Sequence, residues 1–202
     1  MHAFSPRYDD ALILAARAHR PQSRKGSDIP YIVHPVHVSV ILLRYGFTED
    51  LVIAGLLHDV VEDQDVTLEQ IEAQFGAQVA EVVAAVTEQK EDETGQPRPW
   101  EDRKREALAH LREASPEILA VKAADVIHNT RTLADQVWQQ GPAIWAYYHR
   151  GADESLWYYR SMATIAGDRL GAHPIVDELG RAVQDLELAV AESRGGDEKR
   201  LT

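Results

Sequence analysis

Residues 51–63 read Leu-Val-Ile-Ala-Gly-Leu-Leu-His-Asp-Val-Val-Glu-Asp. The first seven are apolar and small, which predicts a buried helix that reaches as far as His58. Four ionisable groups follow directly. In a continuous helix, side chains four residues apart share a face, so His58 would stand above Glu62, and Asp59 above Asp63. A buried helix that ends in imidazole and carboxylate groups suits a divalent cation and the water that the cation activates.

Helical periodicity continues on both sides of this run, and no alternating strand pattern stands out. Thr48 is a suitable N-cap for the helix that carries His58, and Thr67 with Gln70 is a capping-box signature. The predicted helices are Pro6 to about His19, Pro35 to about Tyr45, the run after Thr48, Thr67 to Phe75, Ala77 to about Gln89, Trp100 to Glu113, Pro116 to about Trp138, one or two within 143–170, and Pro174 to about Ala191. The sequence therefore predicts an all-α fold, a single-domain helical bundle.

The length and composition fit one well-packed domain. The chain has 202 residues, of which 45% are hydrophobic and 27% are charged. These values are ordinary for a globular protein with one core. We expect residues 1–193 to form the domain and residues 194–202 to be a disordered tail.

The charge and residue counts argue against several function classes. The formal net charge of −12 is unfavourable for a nucleic-acid binder, which needs a basic surface to neutralise phosphates. The chain has no cysteine, so disulfides and thiolate metal sites are ruled out. Charged residues interrupt every hydrophobic stretch and the N-terminus does not resemble a secretory signal, so we expect no membrane partner and a cytoplasmic location.

Histidine and aspartate residues from three separated segments form a candidate metal site. His58 and Asp59 are adjacent, His34 stands where a loop turns into a helix, and Asp125 lies in a later amphipathic helix. Two histidines and two aspartates give a mixed nitrogen and oxygen ligand set. Such a set suits Mn²⁺, Fe²⁺ or Zn²⁺ better than Ca²⁺ or thiophilic metals.

The helix that carries Asp125 has a polar face. Asp125, Asn129 and Thr132 fall at positions i, i+4 and i+7, which lie on one side of a helix. This side holds no bulky apolar residue, so it is expected to line a pocket rather than the core.

Three sequence motifs contain the candidate site residues. They are Arg-Lys-Gly-Ser-Asp-Ile-Pro-Tyr-Ile-Val-His-Pro at 24–35, His-Asp-Val-Val-Glu-Asp at 58–63 and Ala-Asp-Val-Ile-His-Asn-Thr-Arg-Thr-Leu at 124–133. These motifs resemble the hydrolase domain of RelA/SpoT homologues, within the HD superfamily of metal-dependent phosphohydrolases. The resemblance covers roughly residues 8–170, and its motifs are specific. The 202 residues include no synthetase or regulatory domain, so we expect the chain to be similar to the stand-alone small alarmone hydrolases of bacteria. An HD-superfamily helical bundle is the implied fold.

The resemblance implies a reaction. Members of this group hydrolyse the 3′-diphosphate of ppGpp or pppGpp, which gives GDP or GTP plus pyrophosphate and ends the stringent-response signal. Glu62 and Asp63 match positions that flank the water and the scissile bond, and either of them could orient or deprotonate the water. One Mn²⁺ is expected to be bound by the residues that match the family's ligands, namely His34, His58, Asp59 and Asp125.

The resemblance also indicates where the nucleotide binds. The expected substrate-binding residues are Arg24, Lys25, Asn129, Thr132, Tyr158, Arg103 and Lys104. Of these, Arg24 can stack on a purine and Lys25 can meet a phosphate. Asn129 and Thr132 match positions that face the nucleoside, and the tyrosine is expected to meet the sugar or a phosphate. Arg103 and Lys104 belong to the densest basic patch of the chain and are candidates for binding the 5′ or leaving phosphates.

Other interpretations stay open. Related domains accept adenosine alarmones or remove the 2′-phosphate of NADPH, and a degenerate HD domain could bind a nucleotide or a partner without turnover. The patch at Arg103 and Lys104 could be a solvated helix face. If the aromatic residues between 145 and 159 are exposed, the protein could form a homo-oligomer through them. Gln64 stands where many relatives have threonine, and we expect little effect on chemistry from this difference.

Overall fold

The fold consists of helices joined by turns and two longer loops. The computed structural model describes residues 5–148 and 150–198, without the side chains of 196–198. Within these ranges no strand is present, and extended pairing is limited to isolated bridges. The predicted all-α class is therefore confirmed. The helices are α1 (Pro6–Ala18), α2 (Val33–Arg44), α3 (Glu49–Leu57), α4 (Val60–Asp63), α5 (Leu68–Phe75), α6 (Ala77–Val86), α7 (Trp100–Glu113), α8 (Pro116–Gln140), a 3-10 helix (Gly141–Tyr147), α9 (Ala152–Leu170) and α10 (Pro174–Glu198).

Local capping contacts explain where several helices begin. The side chain of Ser5 accepts a hydrogen bond from the backbone N–H of Tyr8 at the start of α1. Thr67 and Gln70 form both halves of the predicted capping box at α5. Thr48 occupies the predicted N-cap position of α3, but its side chain makes no capping hydrogen bond. The position of this helix is therefore fixed by its apolar residues rather than by its cap.

The helix predicted to run through His58 is interrupted at that residue. Helix α3 ends at Leu57, and the short helix α4 begins at Val60. In a continuous helix the carbonyl of Gly55 would accept a hydrogen bond from the backbone N–H of the residue four positions later. Here this carbonyl accepts from His58 Nδ1 at 2.8 Å. The prediction of one continuous helix through residues 58–63 is therefore wrong, because the imidazole competes with the backbone for the carbonyl.

Helix α8 is the central element of the fold. It packs against α2, α3, α6, α9 and α10. Residues 119–128 are buried on all sides of the helix. The small side chains of Ala120, Ala123 and Ala124 allow the neighbouring helices to approach closely. This stretch also carries Asp125 and His128 into the interior, so polar site residues are placed inside the bundle.

Helices α2 and α3 make a close contact at Gly55. A Cβ at this position would overlap the Cδ1 of Leu42 and lie 3.3 Å from Cγ1 of Val38. Both of these side chains are fully buried. The contact holds the pair so that His34, at the start of α2, meets His58, at the end of α3.

Helix α10 is attached to the bundle by a buried carboxylate. Glu178 is 1% exposed, and its Oε1 binds Arg131 Nη1 at 2.6 Å. Its Oε2 accepts hydrogen bonds from Arg44 and Tyr45. Ion pairs to α8 and α2 therefore fix the position of α10.

The C-terminal helix extends beyond its predicted end. It continues to Glu198, so the predicted tail at 194–202 overlaps its last turns, and residues 199–202 lie outside the described residues. Residues 1–4 and 149 of the predicted domain also lie outside them. None of the helices that the structure describes has the length and apolar character needed to cross a membrane.

Candidate functional site

Three side chains converge where α2, α3 and α4 meet. The Nε2 atoms of His34 and His58 are 3.2 Å apart. The Oδ2 atom of Asp59 lies 3.4 Å from the first Nε2 and 3.1 Å from the second. One donor atom from each of these three residues lies within 4.8 Å of the others, so the group could hold a metal ion.

Asp125 joins this cluster from α8. Its Oδ1 lies 3.2 Å from Nε2 of His34 and 3.7 Å from Nε2 of His58. Its Oδ2 is occupied by Lys122 Nζ at 2.8 Å. Because the lysine covers one oxygen, the carboxylate presents the other to the imidazoles. The structure thus brings together all four residues of the predicted metal site.

The hydrogen bonds of the two imidazoles leave both Nε2 atoms free to face the cluster. His58 Nδ1 donates to the carbonyl of Gly55. His34 Nδ1 lies 2.8 Å from His128 Nδ1. Burial, and then the neighbouring charge of His34, lower the pKa of His128 to about 3, so this residue is neutral and can accept the proton of His34. Fixing a ligand's ring nitrogen in this way is typical of metal-binding histidines.

The electrostatics of the cluster match a cation-binding site. Burial alone would lower the pKa of His58, but the charge of Asp59 and a hydrogen bond to Asp125 outweigh it and raise the pKa to about 10. Burial would raise the pKa values of the Asp59 and Asp125 carboxyls. The charge of His58 nevertheless holds the pKa of Asp59 well below its usual range, and the charge of Lys122 does the same for Asp125. Both carboxylates are therefore ionised at neutral pH.

Tyr31 also contacts the cluster. Its hydroxyl donates to Asp59 Oδ2 at 2.6 Å. Burial, with the negative charge of Asp59, raises the pKa of the phenol, so it keeps its proton. Its ring stacks edge-on against His34, with the centroids 5.7 Å apart. The tyrosine therefore helps to orient two of the predicted metal ligands.

The carboxylates of Glu62 and Asp63 lie beside the cluster and have several partners. Glu62 Oε2 accepts a hydrogen bond from the backbone N–H of Glu88 at 3.1 Å. Asp63 Oδ2 accepts one from Gln22 Nε2 at 2.9 Å. Lys90 Nζ lies 3.2 Å from Glu62 Oε1 and 2.5 Å from Asp63 Oδ1. The two predicted catalytic residues therefore share one cation.

A chain of hydrogen bonds links the predicted nucleotide-binding residues to the cluster. Arg24 Nη2 donates to Asn129 Oδ1 at 2.7 Å, and Asn129 Nδ2 donates to Asp125 Oδ1 at 2.5 Å. The guanidinium of Arg24 lies 5.4 Å from the ring centroid of Tyr31. The hydroxyl of Thr132, one turn further along α8, donates to a backbone carbonyl of its own helix.

Lys25, the residue after Arg24, is held in place by α8 and the segment that follows α8. Its carbonyl accepts from Gln136 Nε2 at 2.7 Å, and Gln136 Oε1 accepts from the hydroxyl of Tyr148 at 2.8 Å. Its ammonium lies 5.6 Å from the ring centroid of Tyr148. Burial and the charges of Lys104 and Lys90 lower the pKa of Lys25.

The basic patch on α7 faces the site through Glu88. The buried carboxylate of Glu88 binds Arg103 Nη1 at 3.2 Å and also binds Lys104. Lys104 lies 4.6 Å from the ring centroid of Tyr158. That tyrosine is 5% exposed, and its hydroxyl has no hydrogen-bond partner among the described residues. The patch is therefore paired with a buried acid rather than solvated, and Tyr158 lies beneath it.

A family model described as the HD domain matches residues 11–148. This range includes all four residues of the cluster and more than half of the chain. The chain belongs to the HD domain family.

Relatives of this HD domain include alarmone hydrolases. The guanosine-3′,5′-bis(diphosphate) 3′-pyrophosphohydrolase MESH1 of Homo sapiens is 42% identical over 127 residues, which are 61% of this chain and 68% of the human protein. The guanosine-3′,5′-bis(diphosphate) 3′-pyrophosphohydrolase of Haemophilus influenzae is 38% identical over 123 residues, which are 60% of this chain and 18% of that protein. The solved structure of a metazoan ortholog of SpoT that hydrolyses ppGpp has a TM-score of 0.66 and 27% identity, with 96% of each chain covered. The resemblance inferred from the sequence motifs is confirmed.

Several contacts of this HD domain were not predicted from sequence. They involve Gln22, Tyr31, Glu88, Lys90 and Lys122. A spacing signal exists for Lys122, which stands three residues before Asp125 on the same helix. No spacing signal exists for Lys90, because it is distant in sequence from Glu62 and Asp63 and meets them only when its loop folds back onto α4.

Proposed function

We propose that this HD domain is a guanosine-3′,5′-bis(diphosphate) 3′-pyrophosphohydrolase, which converts ppGpp or pppGpp to GDP or GTP and pyrophosphate. The observation that carries the proposal is the convergence of His34, His58 and Asp59 beside the carboxylate pair of Glu62 and Asp63. A metal site next to a group that accepts protons, with cations nearby, is what hydrolysis of a polyphosphate requires. The human and H. influenzae relatives are named for this activity.

We propose that the metal is one Mn²⁺, bound by His34, His58, Asp59 and Asp125. The residues fit such an ion because imidazole nitrogens and carboxylate oxygens converge on one point and suit Mn²⁺ in their chemistry. When bound, the ion lowers the pKa of a water ligand and stabilises negative charge on a phosphoryl oxygen.

Glu62 is our candidate for the group that takes the proton of the attacking water. Burial and the nearby charge of Asp59 raise its pKa, and a carboxylate with a raised pKa is a better base near neutral pH. Asp63, held between Gln22 and Lys90, is our candidate for the group that orients the water. In the reaction the water oxygen bonds to the phosphorus on the ribose 3′-oxygen, the bond between that phosphorus and the 3′-oxygen breaks, and the 3′-oxygen takes up a proton.

The nucleoside is expected to bind at the side of the cluster where Arg24 and Asn129 lie. Arg24 is linked through Asn129 to Asp125, so a purine stacked on the guanidinium would be placed at a fixed distance from the metal ligands. Lys25 and Thr132 extend this side. Lys104, which lies over the ring of Tyr158, remains our candidate for a phosphate contact, together with Arg103 and Tyr158.

The test is an assay of the purified protein with Mn²⁺ and with ppGpp, pppGpp, pppApp or NADPH as the substrate. We expect release of pyrophosphate from ppGpp or pppGpp, and a loss of at least about a hundredfold in kcat for His58→Ala and Glu62→Gln. Arg194→Gln, which removes an exposed cation of α10, is the matched control and should retain wild-type activity.

The products separate this proposal from its alternatives. Release of orthophosphate from NADPH would indicate a phosphatase, and turnover of pppApp alone would indicate an adenosine alarmone hydrolase. Binding of ppGpp without turnover would indicate a nucleotide-binding module. If His58→Ala is as active as the wild type, the proposed catalytic site is wrong.

A further inference from the structure

Lys90 forms ion pairs with both Glu62 and Asp63. Besides its contacts with the two carboxylates, its ammonium lies 3.3 Å from the backbone carbonyl oxygen of Glu62. Its side chain is nevertheless 45% exposed. Lys90 therefore reaches the carboxylate pair from the solvent side, which is the side that a polyanionic substrate must approach.

The loop that carries Lys90 is held in a defined shape. The backbone carbonyl of Lys90 accepts a hydrogen bond from the N–H of Arg98 at 2.9 Å. The carboxylate of Asp92 caps the backbone N–H groups of Thr94 and Gln96 at 2.8 and 3.0 Å. The guanidinium of Arg98 is bound by Glu106 of α7. Because both ends of the loop are anchored, the backbone at Lys90 has a defined position.

A purely structural ion pair is a poor explanation for this arrangement. Exposed and half-exposed ion pairs contribute little to stability. Glu62 and Asp63, however, would repel a polyphosphate unless a cation stands between them and the substrate. Besides burial, the charges of Lys104 and Lys90 both lower the pKa of Lys25, and the charge of Asp63 raises it. Lys90 is placed to be the cation between the carboxylates and the substrate, since it contacts both carboxylates.

We propose that Lys90 is a further substrate-binding residue of this site, which contacts the 3′-diphosphate and then the pyrophosphate product. This inference rests on the proposed function for the identity of the substrate. The ammonium carries three N–H donors, so it can keep one carboxylate contact while it donates to a phosphate oxygen. Arg24 and Asn129 are linked to Asp125, whereas Lys90 contacts the two carboxylates of α4, so Lys90 is assigned to the phosphate end rather than to the base.

The experiment compares wild type, Lys90→Met and Lys90→Arg in the presence of Mn²⁺. The methionine keeps an unbranched apolar chain that ends where the lysine Cε stands and removes the charged group, and the arginine restores the charge. We expect the KM for ppGpp to rise about tenfold in Lys90→Met and to recover in Lys90→Arg, because a charge-assisted hydrogen bond is lost and regained. The second readout is the affinity for inorganic pyrophosphate, measured by calorimetry, which should weaken by a similar factor in Lys90→Met.

Arg194→Met is the matched control, because it removes a cation outside the site and should change neither readout. Thermal unfolding of each variant checks that the fold is kept. If the wild type hydrolyses ppGpp but Lys90→Met has unchanged KM and pyrophosphate affinity, the inference is wrong. A lower kcat with both quantities unchanged would also overturn it, because Lys90 would then only position the carboxylates. If the wild type does not hydrolyse ppGpp, the proposed function fails, and the calorimetric comparison still decides whether Lys90 binds the diphosphate.

Discussion

His58 must lose a proton before it can bind a metal ion. Its pKa of about 10 means that the imidazole is protonated at neutral pH, and only the neutral ring can bind a metal. We therefore expect Mn²⁺ binding to release one proton. The affinity should increase as the pH rises, by about tenfold for each pH unit between about pH 6 and about pH 8. Calorimetric titration with Mn²⁺ in buffers of different ionisation enthalpy measures the proton directly, and an affinity that does not depend on pH would contradict the assignment.

Residue chemistry explains which parts of the site could be predicted. The four proposed ligands are histidines and aspartates within recognisable sequence motifs, so they could be inferred from the sequence. The partners that tune them have no such signature. Lys122 and Tyr31 are ordinary residue types, and their contacts with Asp125 and Asp59 depend on how α8 and the loop before α2 pack. The contacts of Lys90 with Glu62 and Asp63 depend on how its loop folds, and no residue spacing in the sequence indicates that fold.

At the scale of the elements, the contact between α2 and α3 depends on Gly55. Its replacement by alanine would place a methyl group against Leu42 in a part of the core that is fully buried. We expect Gly55→Ala to lower the free energy of unfolding by about 1–3 kcal/mol. Because the Gly55 carbonyl also holds His58, we expect a weaker affinity for Mn²⁺. Chemical denaturation and metal titration measure the two effects.

Gly180→Ala is the matched control for this substitution. Gly180 lies within α10, and a Cβ there would meet no atom within 4 Å. Alanine is the better helix former, so we expect a gain of about 0.5–1 kcal/mol. If both substitutions change stability by the same amount and in the same direction, helix propensity rather than close packing governs position 55.

The helices themselves were easier to predict than the point where one of them breaks. Prolines, capping residues and apolar spacing are local signals, and they placed the starts of α1, α5, α7 and α8 correctly. The interruption at His58 comes from competition between a side chain and the backbone for one carbonyl. Helical spacing cannot reveal such competition, because it records only which residues share a face and not which carbonyl a side chain binds.

At the scale of the whole molecule, the site joins parts of the fold that are distant in sequence. Its residues come from α2, from the junction of α3 and α4, and from α8. A ligand that binds only the folded state stabilises it by about 2.7 kcal/mol at a concentration one hundred times its Kd. For a chain of this size we therefore expect Mn²⁺ to raise the Tm by about 5–10 °C, and a chelator should reverse the shift.

The variants used in the activity assay also test whether this stabilisation arises at the proposed site. His58→Ala removes a ligand from the cluster, so its Tm should not respond to Mn²⁺. Arg194→Gln should respond as the wild type does, because the arginine pairs with Asp153 at the surface. Differential scanning calorimetry with and without Mn²⁺ gives the comparison. An equal shift in all three proteins would mean that the ion binds elsewhere, for instance to exposed carboxylates of this acidic chain, and the four-residue cluster would then not be the metal site.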